Sequence, residues 1–213
     1  MTNASANSQT EEPTVFIVDD DEQLRTALRL LLRSVQIRAV TFASAAEFLE
    51  VFQPNQSGCI VADVRMPGIS GLELQQELHA AGHQIPVIIL TGHAEVEMAV
   101  EAVKAGAMDF VEKPYSAQKM IELIQRAIVT DASNRQHQAE LSDFQTRRHS
   151  LSEREQQVLE LLVDGKTTKE IALALDIRPP TADFHRRNLL EKMNVENAVQ
   201  LARIYEAQKR TNP

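Results

Sequence analysis

Polar and charged side chains follow several apolar runs of this chain, at the point where each run ends. Asp63 closes the run CIVAD, and Asp19 and Asp20 follow FIV. Thr91 closes VIILT, and Lys113 follows the run MDFVE. Because the carboxyl ends of parallel strands meet at one edge of an open α/β sheet, we expect these side chains to share one site.

The three acids of this predicted site favour a cation nearby. Two carboxylates ~4 Å apart repel by about 4 kcal/mol at an effective dielectric of ~20, so the cluster is costly unless a cation enters or a pKa rises. Carboxylate oxygens without His or Cys suit Mg²⁺. With the ammonium of Lys113 and the hydroxyl of Thr91, the set fits phosphoryl transfer, with Asp63 as the nucleophile that forms an acyl phosphate.

The elements that must position this site lie within residues 14–130. Apolar β-branched runs alternate there with amphipathic helical stretches in five β-then-α units, which predicts a parallel sheet covered on both faces. The S-x-x-E spacings that begin at Ser44 and Ser70 predict capping boxes, and Gly82 and Gly106 are expected to close the third and fourth helices.

Four motifs of this segment resemble the receiver domain of bacterial two-component response regulators. They are DDD, ADVRMPGISGLEL, ILTGH and DFVEKPY. The resemblance implies a flavodoxin-like, doubly wound α/β fold with a five-stranded parallel sheet. It also implies that Asp63 accepts a phosphoryl group from a sensor histidine kinase, and that Mg²⁺ is held by Asp19, Asp20, Asp63 and the main-chain oxygen of Arg65.

The same resemblance assigns the switch that reports the phosphate. Thr91 and Lys113 grip the phosphoryl oxygens, and Phe110 is the switch aromatic whose ring turns inward; the alternative for Phe110 is a plain core residue of the fifth strand. The Lys113–Pro114 bond is expected to be cis, which X-Pro bonds tolerate. Phosphate biases an existing equilibrium, and the expected output is a changed dimerisation face over residues 94–128.

Residues 131–149 are polar but free of Gly and Pro, so we expect them to form a helical linker, with coiled-coil pairing left open. Residues 150–213 then read as a small all-α domain of four helices. S/T-x-x-E spacings begin at Ser152 and Thr167, a Pro-Pro pair opens the third helix, and Asn197 is a plausible cap for the fourth.

This last segment resembles the LuxR-type helix-turn-helix, through LSEREQQVLELL, the run KEIALALDI, and T-x-x-x-H-R with a following K-M. A recognition helix reads bases mainly through its N-terminal half. The resemblance makes Asp183, Phe184 and Arg187 candidates for base contacts. It places Lys169, Thr181, Arg186 and Lys192 on or near the DNA backbone.

Composition sets outer limits on the class of protein. The chain has 213 residues, 43% of them hydrophobic, and a formal net charge of −8 that belongs entirely to residues 1–130. No apolar run approaches the ~20 residues of a membrane span, and the polar residues 1–13 lack a signal-peptide pattern. We therefore expect a soluble, cytoplasmic protein with a disordered N-terminal tail. Its single cysteine, Cys59, is expected to be structural.

Together these patterns predict a response regulator transcription factor. The expected partners are the kinase, DNA, RNA polymerase and, after phosphorylation, a second copy of the chain. The motif style resembles the FixJ-like subgroup, usually activators, with no enzyme activity beyond Mg-dependent self-phosphorylation and slow autodephosphorylation. Two alternatives stay open. One is a phosphohydrolase acting through phospho-aspartate, for which no cap domain is evident; the other is a regulator that binds DNA without phosphate.

Overall fold

The structure, a computed structural model, describes residues 12–54, 56–92 and 106–211. It divides into two compact units, Met1–Arg135 and Gln136–Pro213. Residues 1–11 of the predicted tail, which spans residues 1–13, and the predicted fourth helix, over residues 96–105, lie outside the described residues. The division falls within the segment predicted as a linker, and the predicted domain boundaries stay predictions.

The first unit is built on a parallel sheet of five strands in the order β2-β1-β3-β4-β5, which confirms the predicted doubly wound sheet. β1 and β3 lie at its centre and are buried on both faces, as their unbroken apolar runs predict. The strands are β1 (Thr14–Val18), β2 (Arg38–Phe42), β3 (Gly58–Asp63), β4 (Val87–Thr91) and β5 (Asp109–Glu112).

Helices cover both faces of this sheet. Alternate residues of β1 point to opposite faces, so Phe16 joins one apolar core and Ile17 the other. The first core includes residues of α2 (Ala45–Val51) and α3 (Gly71–Ala80), and the second includes residues of α1 (Glu22–Ser34) and α4 (Ala117–His149).

The helix starts follow the predicted capping chemistry with one exception. Ser70 and Glu73 form a reciprocal capping box at α3. At α2 the Ser44 hydroxyl accepts from the Glu47 N–H, but the Glu47 carboxylate accepts instead from the Ala43 N–H at 2.6 Å. The prediction of a full capping box at Ser44 was therefore wrong. The carboxylate reaches one residue further back than the box requires.

The predicted linker residues are helical, because α4 continues without a break to His149. The second unit then has four helices, as predicted, with capping boxes at Ser152 and Thr167 and an Asn197 side chain that caps the last. They are α5 (Glu153–Val163), α6 (Thr168–Ala174), α7 (Pro179–Met193) and α8 (Ala198–Thr211).

The core of the second unit is built from apolar residues of several helices. Ile171 and Ala172 of α6 are buried together with Ala182, Leu189 and Met193 of α7. The core also takes in a residue from the end of α4, Phe144, which is 4% exposed.

In the described part of the chain, no helix is both long enough and apolar enough to cross a membrane. The thiol of Cys59 is fully buried in β3, and burial, with a smaller contribution from Asp131, raises its pKa to about 12.

Candidate functional site

The strands deliver the predicted polar residues to one edge of the sheet. Asp19 follows β1 directly, Asp63 and Thr91 are the last residues of β3 and β4, and Lys113 follows β5. Main-chain hydrogen bonds fix these ends: the Asp19 N–H donates to Phe42 O at 3.2 Å, and the Lys113 N–H donates to Thr91 O at 2.8 Å. The parallel register therefore brings together residues that are up to 94 positions apart in the chain.

The Lys113 ammonium bridges two of the acids. Its Nζ lies 2.7 Å from Oδ1 of Asp63 and 3.0 Å from Oδ2 of Asp19. Both carboxylates are nearly removed from solvent, with side chains 11% and 1% exposed, whereas the lysine side chain is 26% exposed. The site is thus a partly buried charge cluster.

Burial and ion pairing shift the pKa values of Asp63 and Lys113 in opposite directions. Burial raises the pKa of Asp63, and the ammonium of Lys113 and the Arg65 N–H lower it without cancelling the rise. Burial lowers the pKa of Lys113, but its hydrogen bonds and ion pairs with Asp63 and Asp19 outweigh this and raise the pKa overall. The ammonium of Lys113 and the carboxylate of Asp63 therefore stabilise each other's charged forms against the effect of burial.

A third acid completes a cluster suited to a hard cation. Oxygen atoms of Asp19, Asp20 and Asp63 lie within 4.8 Å of one another. Asp20 is exposed, while Asp19 is oriented by the N–H of Asp21, which donates to its Oδ1 at 2.8 Å. Three carboxylates from two strand ends, with no nitrogen or sulfur ligand among them, are a donor set that fits Mg²⁺.

Thr91 and Phe110 occupy positions compatible with their predicted roles, which stay predictions. Thr91 is 3% exposed, and its hydroxyl donates to the Gly92 carbonyl at 3.1 Å. Phe110 is partly buried against the core that contains Phe16. The Lys113–Pro114 bond is cis, as the resemblance implied.

Two residues that the sequence did not single out hold this edge in place. Gly71, the first residue of α3, packs so closely that an added Cβ would lie 2.4 Å from the Asp63 carbonyl oxygen, so no larger residue fits there. The guanidinium of Arg25 donates to the Asp19 carbonyl at 2.6 Å. The sequence S-G-L-E at the start of α3 is a local signal for Gly71. Arg25 has no such signal in the sequence, because its contact joins a helix to the end of a strand.

In the second unit, α7 exposes a polar and aromatic face. Phe184 is 59% exposed and the Arg187 side chain 79%, while Asp183 is partly exposed. An ion pair 2.6 Å long joins Arg187 to Asp183, one helical turn before it. Lys169 and Thr181 are exposed as well. The residues predicted to meet bases thus lie on one accessible helix face.

The two other predicted backbone contacts also have partners inside the unit. Lys192 donates to Oε2 of Glu155 at 2.7 Å, and the Glu155 side chain is only 5% exposed. Arg186 donates to the Thr168 hydroxyl at 3.4 Å, and its buried Nε has no hydrogen-bond partner among the described residues. Lys192 therefore has a structural contact that sequence reasoning missed, because its partner lies 37 residues away.

Comparison with known proteins assigns both units. Residues 15–125 match the family described as the response regulator receiver domain, and residues 149–205 match the luxR family of bacterial regulatory proteins. The chain is a two-component response regulator. Its N-terminal unit carries the receiver, and its C-terminal unit carries a LuxR-type DNA-binding domain.

Relatives of this response regulator match along most of their length. The response regulator protein TmoT of Ectopseudomonas mendocina is 39% identical, over 92% of this chain and 89% of that protein. The transcriptional regulatory protein FixJ of Azorhizobium caulinodans is 42% identical, over 91% of this chain and 92% of that protein.

Solved structures agree with this assignment. The response regulator StyR gives a TM-score of 0.79 at 41% identity, covering 92% of this chain and 99% of that one. Full-length FixJ from B. japonicum gives a TM-score of 0.58 at 36% identity, covering 93% of this chain and 98% of that one. The predicted family and fold class are therefore confirmed.

Proposed function

We propose that the receiver accepts a phosphoryl group on Asp63 from a sensor histidine kinase and thereby controls dimerisation and DNA binding. The observation that carries this proposal is the position of the Lys113 ammonium, 2.7 Å from the Asp63 carboxylate, beside the three-acid cluster. A cation in this position would stabilise the charge of an incoming phosphoryl group, which supports the proposal.

In the proposed transfer, an Asp63 carboxylate oxygen attacks the phosphorus of the phosphohistidine. The new P–O bond forms as the P–N bond breaks, and the imidazole leaves with the bonding electron pair and takes up a proton. Lys113 keeps the attacking carboxylate ionised and then donates to a phosphoryl oxygen. Asp19, Asp20, Asp63 and the main-chain oxygen of Arg65 would hold Mg²⁺, which supplies charge stabilisation on the phosphoryl oxygens when bound.

The proposed switch passes through Thr91 and Phe110. The Thr91 hydroxyl would give up its contact with the Gly92 carbonyl and donate to the phosphate, and Phe110, which is only partly buried, would turn inward. The hydrogen bond from Thr91 to the phosphate forms only in the phosphorylated chain. It would therefore shift the equilibrium between the arrangement described here and the one with Phe110 turned inward. The expected result is a dimerisation face over residues 94–128, a range that includes the segment 94–105 outside the described residues.

At the output end, we propose that α7 enters the major groove. Asp183, Phe184 and Arg187 would face the bases, with Lys169, Thr181, Arg186 and Lys192 on or near the phosphates. A dimer would then bind two half-sites about one helical turn of DNA apart. The exposure of Phe184 and Arg187 supports this orientation. We further propose that the bound dimer acts as an activator that meets RNA polymerase.

The proposal is tested by sedimentation of the full chain with Mg²⁺ and acetyl phosphate. Wild type should shift from monomer towards dimer, whereas Asp63→Asn should stay at its untreated distribution because the nucleophile is gone. Asp164→Asn is a matched control, since Asp164 is exposed in the second unit and should leave the shift intact. A variant lacking Asp63 that still dimerises on treatment would show that the acceptor lies elsewhere.

A further inference from the structure

The exposed face of α7 carries a charge pair whose members belong to the same helix. Asp183 and Arg187 are four positions apart, and Oδ2 of Asp183 accepts from a terminal nitrogen of Arg187 at 2.6 Å. The arginine side chain is 79% exposed and the aspartate side chain 39% exposed. In solution an exposed pair of this kind contributes little stability, so stability does not account for it.

Helix capping does not account for Asp183 either. The start of α7 has no hydrogen bond from a capping side chain, and its first residues are Pro179 and Pro180. The Asp183 carboxylate accepts a hydrogen bond from the guanidinium of Arg187, one turn further along the helix. The carboxylate therefore acts on Arg187 rather than on the helix terminus.

The chemistry of guanidinium makes this contact useful for reading a base. The group presents five N–H donors in a fixed planar fork, and one terminal nitrogen is engaged by Asp183. The remaining donors can pair with O6 and N7 of guanine, the commonest specific contact in the major groove. Because Asp183 lies one turn nearer the helix start, it draws the guanidinium towards the N-terminal half of the helix, the part that faces the bases.

We propose that Asp183 is a positioning residue for base reading: it holds the Arg187 fork in one orientation for guanine and does not itself contact a base. This inference rests on the proposed function, in which α7 lies in the major groove. It also removes a difficulty, because a lone carboxylate facing DNA repels phosphates, whereas one paired with Arg187 is neutralised. Asp183 then contributes to sequence preference through its neighbour.

The test is binding-site selection from random duplex DNA, with the full chain treated with Mg²⁺ and acetyl phosphate, followed by affinity measurements on the selected site and its single-base variants. Arg187→Ala should lose the preference for guanine at one base pair of each half-site, by about tenfold or more. Asp183→Ala should lower the preference at that same base pair, by roughly threefold to tenfold, and should add nothing in combination with Arg187→Ala.

A conservative change and a charge-matched control separate positioning from simple charge removal. Asp183→Glu keeps a carboxylate one turn from Arg187 and should retain most of the guanine preference, while Asp183→Asn should not. Glu191→Ala removes an exposed acid from the same helix and should raise affinity for all sequences alike, without changing the preference.

Two results would overturn the inference while leaving the proposed function intact. One is a change of preference at a different base pair in Asp183→Ala, additive with Arg187→Ala, which would make Asp183 a base reader. The other is an unchanged preference in Asp183→Ala. A wild-type chain that selects no sequence at all would contradict the proposed function and this inference together.

Discussion

The ammonium of Lys113 lies 2.7 Å from Oδ1 of Asp63, across 50 residues of sequence, and it is the nearest fixed positive charge that the structure gives to this carboxylate. Lys113→Ala should slow phosphorylation of the chain by acetyl phosphate by about tenfold to a hundredfold, since hydrogen bonds to charged groups are worth about 1.5–3 kcal/mol. The rate is measured by intact-protein mass spectrometry over time. Lys119→Ala, which alters an exposed lysine of the same unit, should react like wild type. Equal rates for Lys113→Ala and wild type would remove the lysine from the mechanism.

Asp131 ties α4 to the start of β3, the strand that ends at Asp63. Its buried carboxylate accepts from the Gly58 N–H at 2.9 Å and from the Ser57 hydroxyl at 3.1 Å. Asp131→Ala leaves the buried N–H of Gly58 without this partner, so we expect a loss of about 1–3 kcal/mol in the free energy of unfolding. Urea unfolding followed by circular dichroism measures it. A loss well below this range would show that water replaces the carboxylate.

The pKa of Asp131 predicts that the stability of the fold depends on pH. Burial raises the pKa of Asp131 above its usual value of 3.8, although the Gly58 and Ser57 hydrogen bonds and the charge of Arg135 act in the opposite direction. The folded state therefore binds the proton of Asp131 more tightly than the unfolded state does. Burying the charged carboxylate destabilises the fold above the folded-state pKa, and this destabilisation is absent below the unfolded-state pKa. Relative to Asp131→Asn, wild type should gain stability as the pH falls from about 7 towards about 4. The opposite trend would contradict the raised pKa.

Glu155 is expected to show the reverse dependence. Burial alone would raise its pKa, but the hydrogen bonds from Lys192 and Ser152 lower it below 4.5. The stabilisation is therefore present above the unfolded pKa and lost as the pH falls through the folded one. Lys192→Ala should destabilise the second unit by about 1–2 kcal/mol at neutral pH, since it leaves the carboxylate buried with fewer partners. Lys169→Ala is the exposed control and should change stability by less than about 0.5 kcal/mol.

Phe144 places the end of α4 in the core of the second unit. It is 4% exposed, and Phe144→Ala should destabilise that unit by about 3–5 kcal/mol through lost burial and the cavity left behind. Val129→Ala on the same helix removes a side chain that is 69% exposed and should cost less than about 0.5 kcal/mol. Hydrogen exchange read by mass spectrometry resolves the two units. Faster exchange confined to residues beyond Arg135 is expected for Phe144→Ala, and unchanged exchange there would contradict the packing role.

The sheet could be predicted from sequence because its signals are local. Unbroken apolar runs such as β3 indicate strands buried on both faces, and three of the four S/T-x-x-E spacings give reciprocal capping boxes. Strand-end acids could be grouped for a geometric reason: parallel strands bring their carboxyl ends to one edge, where Asp19, Asp20 and Asp63 do lie together.

Contacts between distant helices had no such signal. The resemblance places Lys192 on or near the DNA backbone, yet its ammonium donates to the Glu155 carboxylate, 37 residues earlier. Phe144 lies in a segment that is polar in sequence, and the apolar residues of its core come from other helices, among them Val158 and Leu201. Which partner a helix face meets depends on tertiary packing, and the spacing along one helix does not encode it.

The central claim, that Asp63 is the residue which carries the phosphoryl group, is tested most directly by mapping the acyl phosphate. The full chain is treated with acetyl phosphate and Mg²⁺, reduced with borohydride, which converts an aspartyl phosphate to homoserine, and digested for peptide sequencing by mass spectrometry. We expect homoserine at position 63 alone, and none in Asp63→Asn. Homoserine at Asp19 or Asp20, or a modified Asp63→Asn chain, would contradict the account.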